Sequence, residues 1–440
     1  MNNGSANNAQ HHYRSEAGIA GSRQPACTRA ALGAPTSRER LAALEALARA
    51  VAEGRETLPP FGQDVNNHIH TIYSFSPYSP TEAVWYARLA GLQSAGIMDH
   101  DSIAGAPEFV RAGEILGLAT TVGVECRADF GGTRLRGRSI NNPDQAGIAY
   151  MAIHGIPPAR YVQVAAYFAP RIEARHVRNR RMLERLGTVL SGSAWDLDYE
   201  ADVLPLSQAR NGGTVTERHL LFALTQRVLA VAETPRRVVR ILEEDFALSV
   251  PESVRGKLAD VDNPWPEYDL LGFLKGTLLK RCYLPADAEC PAVADVVGFA
   301  REIGAIPAYA YLGDVTVSVT GDKAAQAFED EYLDELFEEL VRLGFPAVTY
   351  MPSRNTPAQR ARVRDLCRQW NLLEISGEDI NSPRQSFVCE AQRAPECAHL
   401  NEAAWALIGH EREAALDESR GFFSSVTCAG TVRVPDFRRY

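Results

Sequence analysis

The sequence predicts an α/β fold in which seven strands alternate with helices, and three observations carry that reading. Strand patterns at 64–71, after Gly96, and at 118–125, 147–154, 304–314, 346–350 and 371–376 are mostly separated by helical patterns. The stretch from about 160 to 290 changes to mainly helical patterns and reads as an insertion after the fourth strand. Polar groups collect where strands end: His68-x-His70, Asp99-His100-Asp101, Glu125, His154, Asp314 and Glu378-Asp379. In βα barrels the C-terminal strand ends form the functional rim, while the layers beneath are apolar.

The elements follow in order. Residues 1–36, rich in Asn, Ala, Ser and Gly with no apolar stretch, read as a disordered tail rather than a secretory signal, and His11-His12 within it as incidental. Residues 37–54 form an amphipathic helix with Leu41, Leu44, Leu47 and Val51 on one face and Gly54 as its stop. Pro59-Pro60 then breaks the chain, so the ordered domain is expected to start at Phe61. The organisation read from these signals is 1–57 tail plus helix, 58–160 first barrel part, 161–290 helical insertion, 291–395 second barrel part and 396–440 C-terminal extension.

Ser79-Pro80-Thr81-Glu82 is a capping box with proline in the first turn, and Thr214-x-x-Glu217 suggests a second box inside the insertion. In 328–340, Phe328, Tyr332, Leu333, Leu336, Phe337 and Leu340 make an apolar stripe opposite carboxylates, which is the pattern of a solvated outer helix. A further helical pattern spans 400–416.

Composition narrows the function classes. Forty-six Lys plus Arg against 55 Asp plus Glu give a net charge of −9, which argues against a surface that grips duplex nucleic acid as a whole. No long uncharged apolar run marks a membrane span. Eight dispersed cysteines without a CxxC pair read as free thiols in a reducing compartment, so a cytoplasmic location is expected.

The chemistry concentrates on a few residues. Histidines at i and i+2 of a strand project to one face, so His68 and His70 can share an ion. Glu125 and Asp99-His100-Asp101 add carboxylate and imidazole donors from other strand ends. Such a nitrogen and oxygen set suits Mn, Fe or Zn, and no cysteine is placed to demand a softer metal.

With these residues in view, NNHIHT (66–71), GIMDHDSIAG (96–105), TTVGVE (120–125), YMPSRNT (350–356) and LLEISGEDINSP (372–383) resemble motifs of the PHP (polymerase and histidinol phosphatase) superfamily. The resemblance covers most of 61–390. It implies a distorted seven-stranded, TIM-like (βα) barrel with a metal cluster at its rim and phosphoester hydrolysis as the activity. The insertion after the fourth strand resembles the family's smaller phosphatase branch. By position, His68, His70, Glu125 and Asp379 match the ligands of the first metal site, and His100 a ligand of a third ion. Several family positions are replaced here: Phe75 stands for an aspartate, Tyr311-Leu312 for a His-Pro pair and Asn381 for a histidine. Ala152 falls where a fourth-strand histidine is usual, with His154 and Asp314 as substitute ligands. One ion, or two, is therefore expected.

On this reading Asp99, His100 or Asp101 orients the attacking water or takes its proton. Arg171, Arg175 and Arg178, at i, i+4 and i+7, form either a phosphate clamp or a solvated basic face. Arg218-His219 resembles an insertion motif that contacts substrate phosphate, and Arg354 lies in the sixth-strand loop. His176, His399 and His410 read as structural. The expected function is a metal-dependent hydrolase of a small phosphorylated molecule, with neither membrane nor nucleic acid as partner. Two other readings stand beside it: a catalytically reduced barrel that binds a ligand or serves as a scaffold, and a single-metal hydrolase of an amide-type bond.

Overall fold

The computed structural model describes residues 31–191, 193–314 and 327–422. His11-His12 and residues 423–440 of the C-terminal extension lie outside the described residues. Strands β1 (Val65–Ile69), β2 (Ser94–His100), β3 (Ala119–Asp129), β4 (Ile148–His154), β5 (Ile306–Tyr311), β6 (Ala347–Tyr350) and β7 (Leu373–Ser376) form one curled sheet in sequence order. Four neighbouring pairs are parallel, and β4 runs antiparallel to both β3 and β5. The architecture is thus a mostly parallel, half-barrel sheet with helices around it. An isolated parallel bridge between Ile69 and Ile380 ties β1 to the loop after β7.

The direction of β4 corrects the expectation that every strand ends at one rim. Parallel neighbours need a crossover of a dozen or more residues, commonly a helix, whereas antiparallel neighbours do not. The segment between β3 and β4 contains no helix, and β4 folds back along β3 with Glu125 opposite Ala152. His154 therefore lies opposite Ile306, at the N-terminal end of β5.

Helices α1 (Ser37–Ala52), α2 (Pro80–Leu89) and α3 (Ala106–Leu116) precede β3. The long α4 (Tyr161–Leu190) opens the helical region, followed by α5 (Glu217–Ala232), α6 (Pro235–Arg240), α7 (Glu252–Ala259) and α8 (Pro266–Cys282). Helices α9 (Val293–Glu302), α10 (Leu333–Leu343), α11 (Pro357–Trp370) and α12 (Ala398–Leu416) complete the fold. Among the described residues no helix is long and apolar enough to cross a membrane.

Two large apolar cores stand out among the described residues. One joins the sheet to its flanking helices, including Trp85, Phe109, Phe130 and Phe337. The other holds the helical region together through Met182, Leu224, Leu242, Leu274 and their neighbours. Phe75, from the loop after β1, belongs to the second core, where its ring meets His219 and Phe222 edge-on. Phe75 is thus a peg joining the sheet to the helical region. A carboxylate there would be desolvated among apolar neighbours.

Both chain ends of the described region are more integrated than the sequence suggested. Helix α1 precedes Phe61 yet buries Leu44 and Leu47 in the main core. Its Arg40 meets Glu108 with Nε to Oε1 at 2.8 Å and Nη2 to Oε2 at 2.5 Å, both side chains buried. Thr81 donates to the same carboxylate from its amide and hydroxyl. At the other end α12 places Leu407 against Ile306, Ala308, Ala347 and Ile375 of the sheet. Glu411 accepts the Val122 amide at 2.8 Å, and His410 Nε2 lies 2.9 Å from Gly155 O. His399 pairs with Glu374, and His176 with the Tyr199 hydroxyl, as structural histidines do.

Candidate metal centre

The centre starts from the two asparagines that precede the histidines. Asn67 donates to Ser376 O at 2.9 Å and Asn66 to Glu378 O at 3.1 Å, while the Glu378 amide returns a bond to Asn66 Oδ1 at 3.0 Å. The backbone continues the joint, with His70 N to Ile380 O at 3.0 Å and Ile380 N to His68 O at 3.1 Å. Side-chain amides and a short backbone ladder thereby hold the loop after β7 against β1. Gly377 permits the approach, since a Cβ there would fall 2.5 Å from the Cβ of His68. The outcome is that Asp379 faces His70.

Three donor atoms converge, and a fourth reaches one of them. His68 Nε2 and His70 Nε2 are 3.2 Å apart, and Glu125 Oε2 lies 3.6 and 3.5 Å from them. Asp379 Oδ1 approaches His70 Nε2 at 3.1 Å. Tetrahedral coordination with bonds of about 2.0–2.1 Å places neighbouring donors about 3.3 Å apart, so the spacing of His68, His70 and Glu125 fits a small divalent cation. Two imidazole nitrogens turned toward each other beside two carboxylates make a donor set whose charge a divalent cation would neutralise. Among the described residues His68, His70 and Glu125 form a group with donor atoms all within 4.8 Å.

The electrostatics are consistent with that use. Burial pushes Glu125 up, but His100, His68 and His70 outweigh it and hold the carboxyl below its usual range. Burial also acts on Asp379, where His70, His68 and the Arg218 guanidinium hold the carboxyl well below the usual value. Burial pulls the His68 imidazole down, yet the Glu125, Asp379 and Glu378 carboxylates prevail and the net direction is up.

The three residues at the end of β2 have separate surroundings. His100 places Nδ1 at 3.1 Å from Glu125 Oε2, its ring tilted over that of His70, and its side chain is 26% exposed. Asp99 is fully buried and bonded to Thr71 and Ser74. Asp101 has a left-handed backbone, φ 51°, which aspartate tolerates better than most residues, and pairs with Arg175 at 2.5 Å.

The predicted arginine face is built into the protein interior. Arg175 and Arg178 are buried, and with Arg127 of β3 they surround Glu289, which the sequence reading missed. Arg127 Nη2 and Arg175 Nε lie 2.6 and 2.8 Å from Glu289 Oε2, and Arg178 contacts Oε1. Glu217 pairs with Arg127 at 3.0 Å and also with Arg178. Because Glu217 is engaged there, the capping box of α5 forms two residues later than expected, between Thr216 and His219. His219 Nδ1 accepts the Thr216 amide at 3.0 Å. Arg171 folds back over the Tyr167 ring, 4.1 Å from its centroid. Arg354 is half-buried in the loop after β6.

Arg218 differs from these. From the first turn of α5 it donates to Asn381 Oδ1 at 2.6 Å, and Asn381 donates to Asp379 Oδ1 at 2.5 Å. Asn381, read from sequence as a lost ligand, bridges a guanidinium to the metal-facing carboxylate. His154, by contrast, is buried with Nε2 unpartnered among the described atoms, and burial pushes its imidazole down to about 3. It falls outside the close donor group.

Asp314 accepts the Phe328 amide at 2.6 Å, next to Asp330, which takes the Tyr311 hydroxyl at 2.5 Å. The neighbouring Glu329 is fully buried, and burial pushes it up to about 7 against the Leu312 amide that bonds it. A carboxyl raised in the folded state contributes stability that is complete below its unfolded value and lost as pH rises through the folded one. From about 4.5 to about 7 this amounts to roughly 3 kcal/mol. Glu329→Gln is therefore expected to gain stability relative to the parent between pH 5 and pH 9. Parallel denaturation profiles for the two proteins would contradict this.

No protein-family profile and no curated protein sequence matches the chain. Among solved structures it is similar to a protein from Bifidobacterium adolescentis assigned as a metal-dependent phosphoesterase, at 21% identity and a TM-score of 0.49. That match covers 77% of this chain and 98% of the other. It is also similar to an amidohydrolase from Chromobacterium violaceum solved with sulfate and without metal. There the identity is 16% and the TM-score 0.48, over 74% of this chain and 90% of the other.

Proposed function

We propose that the chain is a metal-dependent hydrolase of the PHP type acting on a small phosphorylated molecule. The observation that carries the reading is the close group of His68, His70 and Glu125, with Asp379 against His70 and Arg218 tethered to that carboxylate through Asn381. These four residues would hold one Mn, Zn or Fe ion. When bound, such an ion supplies Lewis acidity toward a phosphoryl oxygen and the attacking water.

The chain's own residues divide the remaining work. Arg218 has five N–H donors, one of which bonds Asn381 Oδ1 at 2.6 Å, and its planar fork suits phosphate oxygens. The Asn381 bridge sets that fork beside Asp379. Arg175 and Arg178, surrounded by carboxylates, anchor the insertion instead. Of the run at the end of β2, the proton-handling role falls to His100, the one with an appreciably exposed side chain. The accompanying fold reading is a distorted TIM-like barrel, supported by the Ile69–Ile380 bridge. A cytoplasmic location is supported by six buried, unbridged cysteines among the described residues.

A panel of phosphomonoesters, phosphodiesters and amides, assayed with each metal, tests the reaction class; turnover of amides alone would displace the phosphoesterase reading. On the best phosphoester, Arg218→Ala is expected to raise KM or lower kcat by ten- to a hundredfold, corresponding to about 1.5–3 kcal/mol for a charged hydrogen bond. Unchanged kinetics would remove Arg218 from the substrate site.

A further inference from the structure

We propose that Asp99 is a positioning residue for the metal centre, acting on His70 through the hydroxyl of Ser74. The proposal rests on the metal reading above and assigns Asp99 a place outside the reacting groups. Asp99 is fully buried, so substrate and bulk water do not reach it. Its carboxylate is the hub of a turn. The Thr71 amide and Ser74 hydroxyl each donate to Oδ1 at 2.6 Å, and the Thr71 hydroxyl donates to Oδ2 at 2.6 Å. Thr71 Oγ1 also accepts the Tyr73 amide at 3.2 Å, which leaves its own proton for Asp99. The Ser74 amide closes the turn on Thr71 O at 3.0 Å.

Residues 71–74 are thus wound around one carboxylate, and the winding fixes the serine hydroxyl 3.3 Å from His70 Nδ1. A hydroxyl has one proton. With that proton given to Asp99, Ser74 Oγ meets Nδ1 as an acceptor, and the imidazole carries its hydrogen at Nδ1. The lone pair is then at Nε2, the atom that faces His68, Glu125 and Asp379. Metal-binding histidines generally have their second nitrogen bonded to a carboxylate, carbonyl or water, which sets tautomer and ring orientation. In this chain a carboxylate on the neighbouring strand does so through an intervening hydroxyl.

The test compares the full-length protein with Ser74→Ala and Asp99→Asn by calorimetric titration with zinc and with manganese. Each substitution is expected to weaken binding about 10- to 100-fold, the usual cost of losing an outer partner. Asp99→Asn also loosens the Thr71 turn and risks misfolding. Ser74→Ala keeps the Thr71 bonds to Asp99 and is the deciding variant. In zinc-loaded parent protein the His70 Nδ1–H should appear as a slowly exchanging imidazole proton in nitrogen-correlated spectra, and should be lost in Ser74→Ala. Parent-like affinity in Ser74→Ala overturns the relay, and so does weakened affinity with the Nδ1–H resonance retained. Failure of the underlying metal reading would show differently, as absent binding in the unsubstituted protein, and would end the proposal with it.

Discussion

A His68→Ala, His70→Ala double variant is expected to lose metal binding altogether, with affinity falling by more than about 100-fold, beyond the loss for an outer partner alone. A metal site depends on several donors acting together, and structural and catalytic sites retain three or four protein ligands. The double variant removes both imidazoles of the set and leaves Glu125 and Asp379, from different strand ends, as the remaining pair. Metal analysis of the purified variant and titration with zinc measure the effect. His399→Ala serves as the control, because that imidazole pairs with Glu374 elsewhere in the fold and should leave binding intact. Unchanged metal stoichiometry in the double variant would remove the assignment and the proposed function with it.

Glu289→Ala is expected to destabilise the protein by about 3–5 kcal/mol, the range for breaking a buried ion pair by deleting one partner. The substitution leaves Arg127, Arg175 and Arg178 without the carboxylate they share, in a region where all three are buried. The cost follows from under-compensated buried charge, since three guanidinium groups would be left with only Asp101 and Glu217 as carboxylate partners. An exposed pair provides the comparison: Arg180 and Glu200 meet at 2.7 Å at the surface, and Arg180→Ala should cost below about 1 kcal/mol. Denaturant midpoints at one pH measure both. A Glu289→Ala protein as stable as its parent would show that the network adds nothing to the docking of the insertion.

The two predictions separate what was legible along the chain from what was not. The His68–His70 pair was visible because side-chain direction in a strand has a period of two, a local property. Arg175 and Arg178 were visible as one helix face for the same kind of reason, at the helical period. Their function was not, because the partner that decides it, Glu289, lies more than a hundred residues away. The spacing was open to a phosphate clamp or a solvated basic face, and in the structure both arginines are buried against Glu289. Asn381 was read by comparison as a missing ligand, and its bonds to Arg218 and Asp379 give it a different place. Ser74 was passed over, although it follows His70 by four residues, since a serine in a loop has many possible partners.

The sequence by itself determined the strand and helix alternation, the helical region after β4 and the candidate donors His68, His70 and Glu125. Those features follow from periodicity, capping residues and donor chemistry, which act over a few neighbouring residues. The tertiary structure decided the reversed direction of β4, the place of His154 outside the close donor group, and the integration of α1 and α12 into the core. It also decided how Asn66 and Asn67 hold the loop of Asp379, across more than three hundred residues. The physical reason is common to all of these: which distant groups meet depends on closing long stretches of chain around a shared core, and local spacing does not specify that closure.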